Sequence, residues 1–218
     1  MTRAAAGPSP VRRVGMFGGA FDPPHSAHRA LAEAALAQLS LDVLHVMPTG
    51  EAWHKSRTLS PAVHRLAMCE AAFGDLPKVR IDRRETERQG PSYTADTLQE
   101  LRSEYPQATL YLVLGADQLL AFKGWVRWQE VLSLATLAVA NRPREIGETA
   151  LQSQAPAADL AAVDLPFVPL HMALQHVSAT ALRAQLATPS GPTAAPDLLV
   201  PAAVARYISQ NHLYQTPS

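Results

Sequence analysis

The chain has little charge, few aromatic residues and almost no cysteine. Charged residues make up 17% and aromatic residues 6% of its 218 residues, and the formal net charge is zero with histidine neutral. A nucleic-acid-binding surface needs an excess of basic residues, so this balance argues against nucleic acid as a partner. Cys69 is the single cysteine, which excludes an internal disulfide and a cysteine-rich metal site. We interpret it as a small buried apolar residue of a helix.

Long apolar runs are also missing. No run reaches the length of a membrane span, and residues 1–10 lack the apolar segment of a signal peptide. We therefore expect a cytoplasmic protein without a membrane partner. We expect residues 1–10 to be a disordered leader and residues 11–218 to form a single domain of a size that can bury a proper core.

Short apolar runs alternate with helical patterns along the chain. Strands are predicted at residues 11–17, 42–47, 79–81, 109–114, 134–140 and 167–170. Helices are predicted at residues 29–39, 60–73, 92–104, 178–186 and 201–211. This order predicts an α/β fold with a doubly wound, mostly parallel sheet and a small C-terminal helical part near residues 178–214. Residues 144–166 are interpreted as a surface segment with one helix, and residues 188–196 as a loop.

The segment GGAFDPPHSAH, residues 18–28, lies between the first predicted strand and the first predicted helix. Its glycines allow backbone to approach an anion closely, and a helix N-terminus presents free N–H groups to it. His25 and His28 would add side-chain donors at the same place. A ligand-free turn and a zinc site are the alternatives, but zinc needs a third ligand that the sequence does not supply nearby. The combination favours a phosphate site.

A second segment, VSATALR at residues 177–183, has two interpretations. It is a helix start with Ser178 as N-cap, or a second anion site with Arg183 about one turn into the helix. The residues taken alone leave both open.

Both segments resemble motifs of the nucleotidylyltransferase superfamily. Residues 18–28 are similar to its G-G-x-F-D-P-x-H-x-G-H motif, and residues 177–183 to its I-S-S-T-x-I-R motif. Three further segments are similar to bacterial nicotinate-nucleotide adenylyltransferases: WHK at residues 53–55, SYTADTL at residues 92–98, and GAD at residues 115–117 followed by Trp125. The resemblance runs from Val11 to Tyr214. Ala27 and Ala179 depart from it, in place of a glycine and a serine.

The resemblance implies a Rossmann-like nucleotidylyltransferase fold and an enzyme of NAD biosynthesis. Such an enzyme transfers AMP from ATP to nicotinate mononucleotide and releases pyrophosphate, with Mg²⁺ bound mainly through the ATP phosphates and no metal ligands from the protein. The alternatives are a sister adenylyltransferase for nicotinamide mononucleotide or phosphopantetheine, and a non-catalytic nucleotide sensor. Whether the chain forms a homo-oligomer is left open.

The resemblance also implies roles for individual residues. The expected catalytic residues are His25, His28 and Arg183. The expected ATP-binding residues are Gly18, Gly19, Phe21, Gly115, Asp117, Ser178 and Thr180. The expected mononucleotide-binding residues are Lys55, Thr94 and Trp125. A solvated surface lysine and a plain packing aromatic are the alternatives for Lys55 and Trp125. We expect Asp22 to brace the glycine turn.

Overall fold

The computed structural model describes residues 10–50, 59–140, 160, 163–172, 179–186 and 199–215. The strands in these ranges are β1 Arg13–Gly19, β2 Val43–Pro48, β3 Val79–Ile81, β4 Thr109–Gly115, β5 Thr136–Ala140 and β6 Phe167–Leu170. The helices are α1 Ser26–Gln38, α2 Ala62–Phe73, α3 Arg84–Glu87, α4 Thr94–Glu104, α5 Ala116–Ala121, α6 Trp128–Leu134, α7 Ala179–Leu186 and α8 Ala202–Gln210, with a 3₁₀ turn at Phe122–Gly124.

The six strands form one parallel sheet in the order β3-β2-β1-β4-β5-β6. This is the doubly wound Rossmann-like arrangement, and the predicted fold class is confirmed. Its central strands are almost continuously apolar because helices cover the sheet on both faces. Helices α7 and α8 fall inside the predicted C-terminal helical part, while the division into a leader and one domain stays a prediction.

Two hydrophobic cores lie on the two faces of the sheet. One contains side chains of α1, α2, α7 and α8, among them Leu31, Met68 and Val204. The other contains side chains of α4, α5 and α6, including Leu98 and Val131. Cys69 is fully buried in the first core, as expected, and burial raises the pKa of its thiol. Among the helices described, none is long and apolar enough to cross a bilayer.

Some element boundaries differ from prediction. Helix α1 begins at Ser26 rather than at residue 29, because His25 takes the N-cap position with extended backbone. Helix α2 begins at Ala62 rather than at residue 60, with Pro61 as its N-cap. The short helices α3, α5 and α6 are additional to the predicted ones, and Leu134 ends α6 rather than beginning the strand predicted at residues 134–140. Helices of four to seven residues are too short to show an amphipathic period.

Part of the segment predicted to lie on the surface packs inward. Leu160 is buried in the second core, and Val163 and Leu165 pack against it. Residues 1–9, 144–159, 161–162 and 188–196 lie outside the described residues, so the predictions made for them stay predictions.

A crevice lies where the strand order reverses, between β1 and β4. Strand β1 pairs with β2 as far as Gly19 and Pro48, but its pairing with β4 runs only from Arg13–Thr109 to Met16–Leu112. The carboxyl ends of β1 and β4 therefore separate. Ligands of doubly wound sheets bind at this topological switch point.

Candidate active site

A stacked pair of histidines lies at the start of α1, directly after β1. The ring centroids of His25 and His28 are 3.6 Å apart with 20° between their planes. The backbone N–H of His25 donates to Nδ1 of His28 at 3.2 Å. Because that nitrogen accepts, a neutral His28 carries its proton on Nε2, which is then the nitrogen available to donate to a ligand.

Both histidines are held neutral. Burial lowers the pKa of His25 to about 4. Burial and, second, the neighbouring His25 hold the pKa of His28 well below its ordinary value. Side-chain atoms that are buried without a hydrogen-bond partner, within the described part of the chain, are Nδ1 of His25 and the hydroxyls of Ser26 and Thr49. Such orphaned atoms require an explanation, and a polar ligand is one that would satisfy them.

The ring of Phe21 packs against the histidine pair. Its backbone has a positive φ of 46°, and its ring lies 5.1 Å from His28 and 5.8 Å from Phe73, in the first core. A Cβ on Gly19 would come within 3.0 Å of this ring, whereas one on Gly18 would meet its nearest neighbour at 3.9 Å. The Phe21 side chain is therefore a packing group, and any contact with ATP would come from its backbone.

The second motif packs against the first. From α7, the guanidinium of Arg183 donates to the backbone carbonyl of Asp22 at 2.6 Å and to Oγ1 of Thr180 at 3.2 Å. Arg183 and Asp22 are 161 positions apart in sequence, so the contact between the two segments is made by the tertiary fold. The interpretation of residues 177–183 as a second anion site stays a prediction. Ser178 lies outside the described residues.

Asp22 does more than brace the glycine turn. Its Oδ2 accepts a hydrogen bond from the backbone N–H of Ser60 at 3.2 Å, and its Oδ1 accepts one from the hydroxyl of Tyr214 at 2.7 Å. The carboxylate thus joins the first motif to the start of α2 and to the end of the chain. No motif of the sequence pointed to a role for Tyr214.

Arg65 is a further residue that the sequence analysis missed. It is only 3% exposed, and its guanidinium donates to the carbonyls of Thr49 at 2.8 Å, Ser60 at 3.0 Å and Ala20 at 3.2 Å. It therefore ties the loops after β1 and β2 to the start of α2. One sequence signal was available: residue 65 falls on the apolar stripe of α2 formed by the buried positions 65, 68, 69, 72 and 73.

Gly115 and Asp117 lie across the crevice. Gly115 ends β4, and no described atom would lie within 4 Å of a Cβ added to it, so the space above its backbone is open. Asp117 is exposed in the first turn of α5, which starts at Ala116. Both positions flank the site where β1 and β4 separate.

Thr94 and Trp125 are the described residues that are predicted to bind the mononucleotide. Both lie on the side of the sheet that carries the second core. Thr94 is the first residue of α4, and Trp125 packs on Phe122 with ring centroids 5.3 Å apart. An ion pair at 2.5 Å between Arg127 and Asp96 ties the segment after Trp125 to the first turn of α4. The segments that contain Thr94 and Trp125 are therefore neighbours, and their role in binding the mononucleotide stays a prediction. Lys55 lies outside the described residues.

Comparison with known proteins identifies the family. Residues 16–185 match the family model described as cytidylyltransferase-like. The chain belongs to this nucleotidyltransferase family. It is 51% identical over 213 residues to a protein of Albidiferax ferrireducens named "Probable nicotinate-nucleotide adenylyltransferase", covering 94% of this chain and all of the relative. It is 45% identical to a protein of the same name from Methylibium petroleiphilum, covering 96% and 95% of the two chains.

Solved structures agree with the fold. The nicotinic acid mononucleotide adenylyltransferase of Plasmodium falciparum complexed with APC matches with a TM-score of 0.70 at 15% identity, over 93% of this chain and 97% of that one. The same enzyme complexed with NaAD matches with a TM-score of 0.69 at 17% identity, over the same shares. The resemblance inferred from the motifs is confirmed, and so is the assignment as a nucleotidyltransferase.

The fold accommodates both departures from the motifs. Ala27 is the second residue of α1, and Ala179 is the first residue of α7. Alanine is the residue most compatible with a helix, so neither replacement requires a local change of backbone.

Proposed function

We propose that this enzyme transfers AMP from ATP to nicotinate mononucleotide, giving nicotinate adenine dinucleotide and pyrophosphate. The observation that carries the proposal is the similarity, over nearly the whole chain, to proteins named for this reaction. The geometry of the crevice is compatible with it, because Arg183 of the second motif donates to the backbone carbonyl of Asp22 in the first motif.

The proposed reaction requires the enzyme to align its two substrates rather than to transfer a proton. A phosphate oxygen of the mononucleotide attacks the α-phosphorus of ATP, a new P–O bond forms, and the bond to the β-phosphate bridging oxygen breaks with its electrons leaving on pyrophosphate. The attacking oxygen is already anionic, so no general base is required. The enzyme must align two repelling polyanions and stabilise the charge that develops on the α-phosphate and the leaving group.

The histidines and Arg183 would supply that stabilisation. His28 would donate from Nε2 to an α-phosphate oxygen, and His25 would act beside it as a second neutral donor. Arg183, with Thr180 and Ser178, would hold the β- and γ-phosphates, since a guanidinium matches phosphate oxygens with paired donors. The backbone of Gly18, Gly19 and Phe21 would line the phosphate chain.

The remaining residues would bind the two nucleosides. Gly115 would leave room for ATP above the end of β4, with Asp117 beside it. On the neighbouring side, Trp125 would stack on the pyridine ring, Thr94 would contribute to binding the ring carboxylate, and Lys55 would contact phosphate.

Mg²⁺ fits this site as a companion of ATP. Magnesium keeps several waters and is commonly bound through substrate phosphates. Asp22 is the acidic member of the first motif, and both of its carboxylate oxygens accept hydrogen bonds from Ser60 and Tyr214. We therefore propose that the metal is held through the ATP phosphates, where it would neutralise charge on the leaving group.

Pyrophosphate release tests the proposal. The protein is incubated with Mg-ATP and, in separate reactions, with nicotinate mononucleotide, nicotinamide mononucleotide or phosphopantetheine. We expect release to be fastest with nicotinate mononucleotide. Faster release with another acceptor would replace the proposed substrate, and Mg-ATP binding without release would identify a nucleotide sensor.

A further inference from the structure

The end of the chain reaches back to the first motif. Tyr214 follows α8 with a left-handed φ of 67°, and its side chain contacts Asp22 and Met68. Its hydroxyl donates to Oδ1 of Asp22 at 2.7 Å and lies 3.8 Å from Sδ of Met68. This contact joins residues 192 positions apart, so it is a product of the tertiary fold.

The surroundings of Tyr214 favour the protonated form of its hydroxyl. Burial, followed by the hydrogen bond to Asp22 and the negative charge of that carboxylate, raises the pKa of Tyr214. A phenol in this state is a donor to the carboxylate, and a hydrogen bond to an ionised acceptor is stronger than one between neutral groups.

Asp22, the residue that Tyr214 contacts, is connected to both motifs. Its backbone carbonyl accepts from Arg183, and it lies three residues before His25 in the same tight turn. Its other carboxylate oxygen is held by the backbone N–H of Ser60. Both oxygens of the Asp22 carboxylate accept hydrogen bonds, so the side chain is fixed. The backbone carbonyl of Asp22, which accepts the hydrogen bond from Arg183, is therefore held in a defined position.

We propose that Tyr214 is a positioning residue for AMP transfer: through Asp22 it holds Arg183 and the histidine pair in their reactive arrangement. The inference rests on the proposed function, in that the groups being positioned are those assigned to the phosphates. Tyr214 contacts the first motif through the carboxylate of Asp22, so its effect on the phosphate-binding groups would pass through that residue.

A second tyrosine of the same C-terminal segment provides a matched control. The hydroxyl of Tyr207, on α8, hydrogen-bonds Nδ1 of His64 on α2 at 3.0 Å. Each Tyr→Phe change removes one hydroxyl that anchors the end of the chain. Only the bond of Tyr214 is made to the motif segment.

The experiment compares Tyr214→Phe with Tyr207→Phe in the full-length protein. Thermal unfolding, kcat, both KM values and the affinity for a methylene analogue of ATP that cannot transfer AMP are measured for each. We expect Tyr214→Phe to lower kcat about ten- to a hundredfold, the loss typical of a small misplacement of reacting groups. We expect weaker binding of the analogue as well, and kcat within about twofold of wild type for Tyr207→Phe, as for a substitution away from the site.

Two results would overturn the proposal. One is a Tyr214→Phe variant whose kcat and analogue affinity match those of Tyr207→Phe, whether both variants keep the wild-type values or both lose activity. The other is unfolding of Tyr214→Phe below the assay temperature, which would make the hydroxyl a structural anchor. If wild type releases no pyrophosphate with any acceptor, the proposed function fails, while analogue binding still decides the role of Tyr214.

Discussion

At the scale of single residues, the proposed site places the neutral side chains of His25 and His28 close to the segment that Arg183 contacts. A protonated histidine would attract phosphate more strongly, yet burial lowers the pKa of His25 and His28 and keeps the rings neutral. The hydrogen bond from the His25 N–H fixes the tautomer of His28 so that Nε2 carries the proton. In the proposed mechanism these donors would be oriented before the nucleotide binds, and Arg183 would supply positive charge.

Replacing His28 with alanine should lower kcat about 10²- to 10³-fold, the usual cost of removing one donor to a charged transition state. Thermal unfolding should change little by comparison. Steady-state pyrophosphate release checks this, with His171→Ala as control, because His171 is exposed and its described hydrogen bonds to Gln38 are made by its backbone. Wild-type turnover in a folded His28→Ala variant would remove His28 from the mechanism.

The folded protein should lose stability as the pH falls from about 6.5 to about 4. The pKa of His25 is about 4 in the folded protein, against an ordinary value of 6.5. Between these values the unfolded chain binds a proton that folded His25 does not, so stability is fully present above pH 6.5 and decreases below it. The effect of this residue amounts to roughly 3 kcal/mol at the lower end.

Urea unfolding at several pH values measures this loss. In His25→Asn, which keeps a good N-cap, the decline across the same window should be shallower than in wild type. In His171→Asn it should be unchanged. A His25→Asn protein that loses stability with the wild-type slope would show that His25 is not buried in neutral form.

Trp125→Ala should raise the KM for nicotinate mononucleotide more than that for ATP, because a stacking surface for the pyridine ring is removed. Trp128→Ala is the matched control, since both indoles are half-buried and pack near Phe122. The control should lose stability without a selective change in KM. An unchanged KM for the mononucleotide in Trp125→Ala would reject stacking by this residue.

At the scale of elements, the loop after β2 is held against α3. A Cβ on Gly50 would overlap the backbone carbonyl oxygen of Glu85, and the same oxygen accepts a hydrogen bond from Ser92 just before α4. The buried carboxylate of Glu85 also accepts from Thr97 at 2.9 Å. Helix α3, although only four residues long, therefore links the loop after β2 to the start of α4, where Thr94 lies.

Gly50→Ala should destabilise the protein by about 1–3 kcal/mol, because backbone has to move to admit the methyl group. Gly124→Ala should stay within about 0.5 kcal/mol, since no described atom would lie within 4 Å of its Cβ. Urea unfolding of the two variants measures the difference. Equal stability would mean that α3 does not pack on Gly50 in solution.

At the scale of the whole molecule, one buried side chain connects three of the segments at the crevice. Arg65 reaches the carbonyls of Ala20, Thr49 and Ser60 from inside α2. These carbonyls belong to the loops that follow β1 and β2 and to the start of α2. A single guanidinium with five donors in a fixed plane can satisfy them together, which a lysine ammonium cannot do with the same geometry.

Arg65→Met should therefore cost about 3 kcal/mol or more in stability, since several buried carbonyls lose their donors. We also expect slower pyrophosphate release, because the loops beside the phosphate site lose their shared anchor. Arg206→Met on α8 is the control, as Arg206 is exposed. If the two variants unfold at the same urea concentration, the network around Arg65 contributes nothing to stability.

The strands, the longer helices and both motifs could be read from sequence because their signals are local. A buried parallel strand is apolar over consecutive residues, and a long helix repeats its apolar positions. His25 and His28 belong to the same segment of eleven residues, so the sequence alone determined that they would meet at a helix start. The doubly wound order then followed from the alternation of strands and helices.

The tertiary structure alone decided the contacts between distant segments. The bond from Arg183 to Asp22 spans 161 residues and the bond from Tyr214 to Asp22 spans 192, and no periodicity or local propensity encodes such pairs. The role of Arg65 likewise depends on carbonyls that three separate segments present to it. Any residue can accept a hydrogen bond at its backbone carbonyl, so the type of the accepting residue does not reveal such a bond. The sequence therefore determined the two motif segments, and the tertiary structure determined how they are held together.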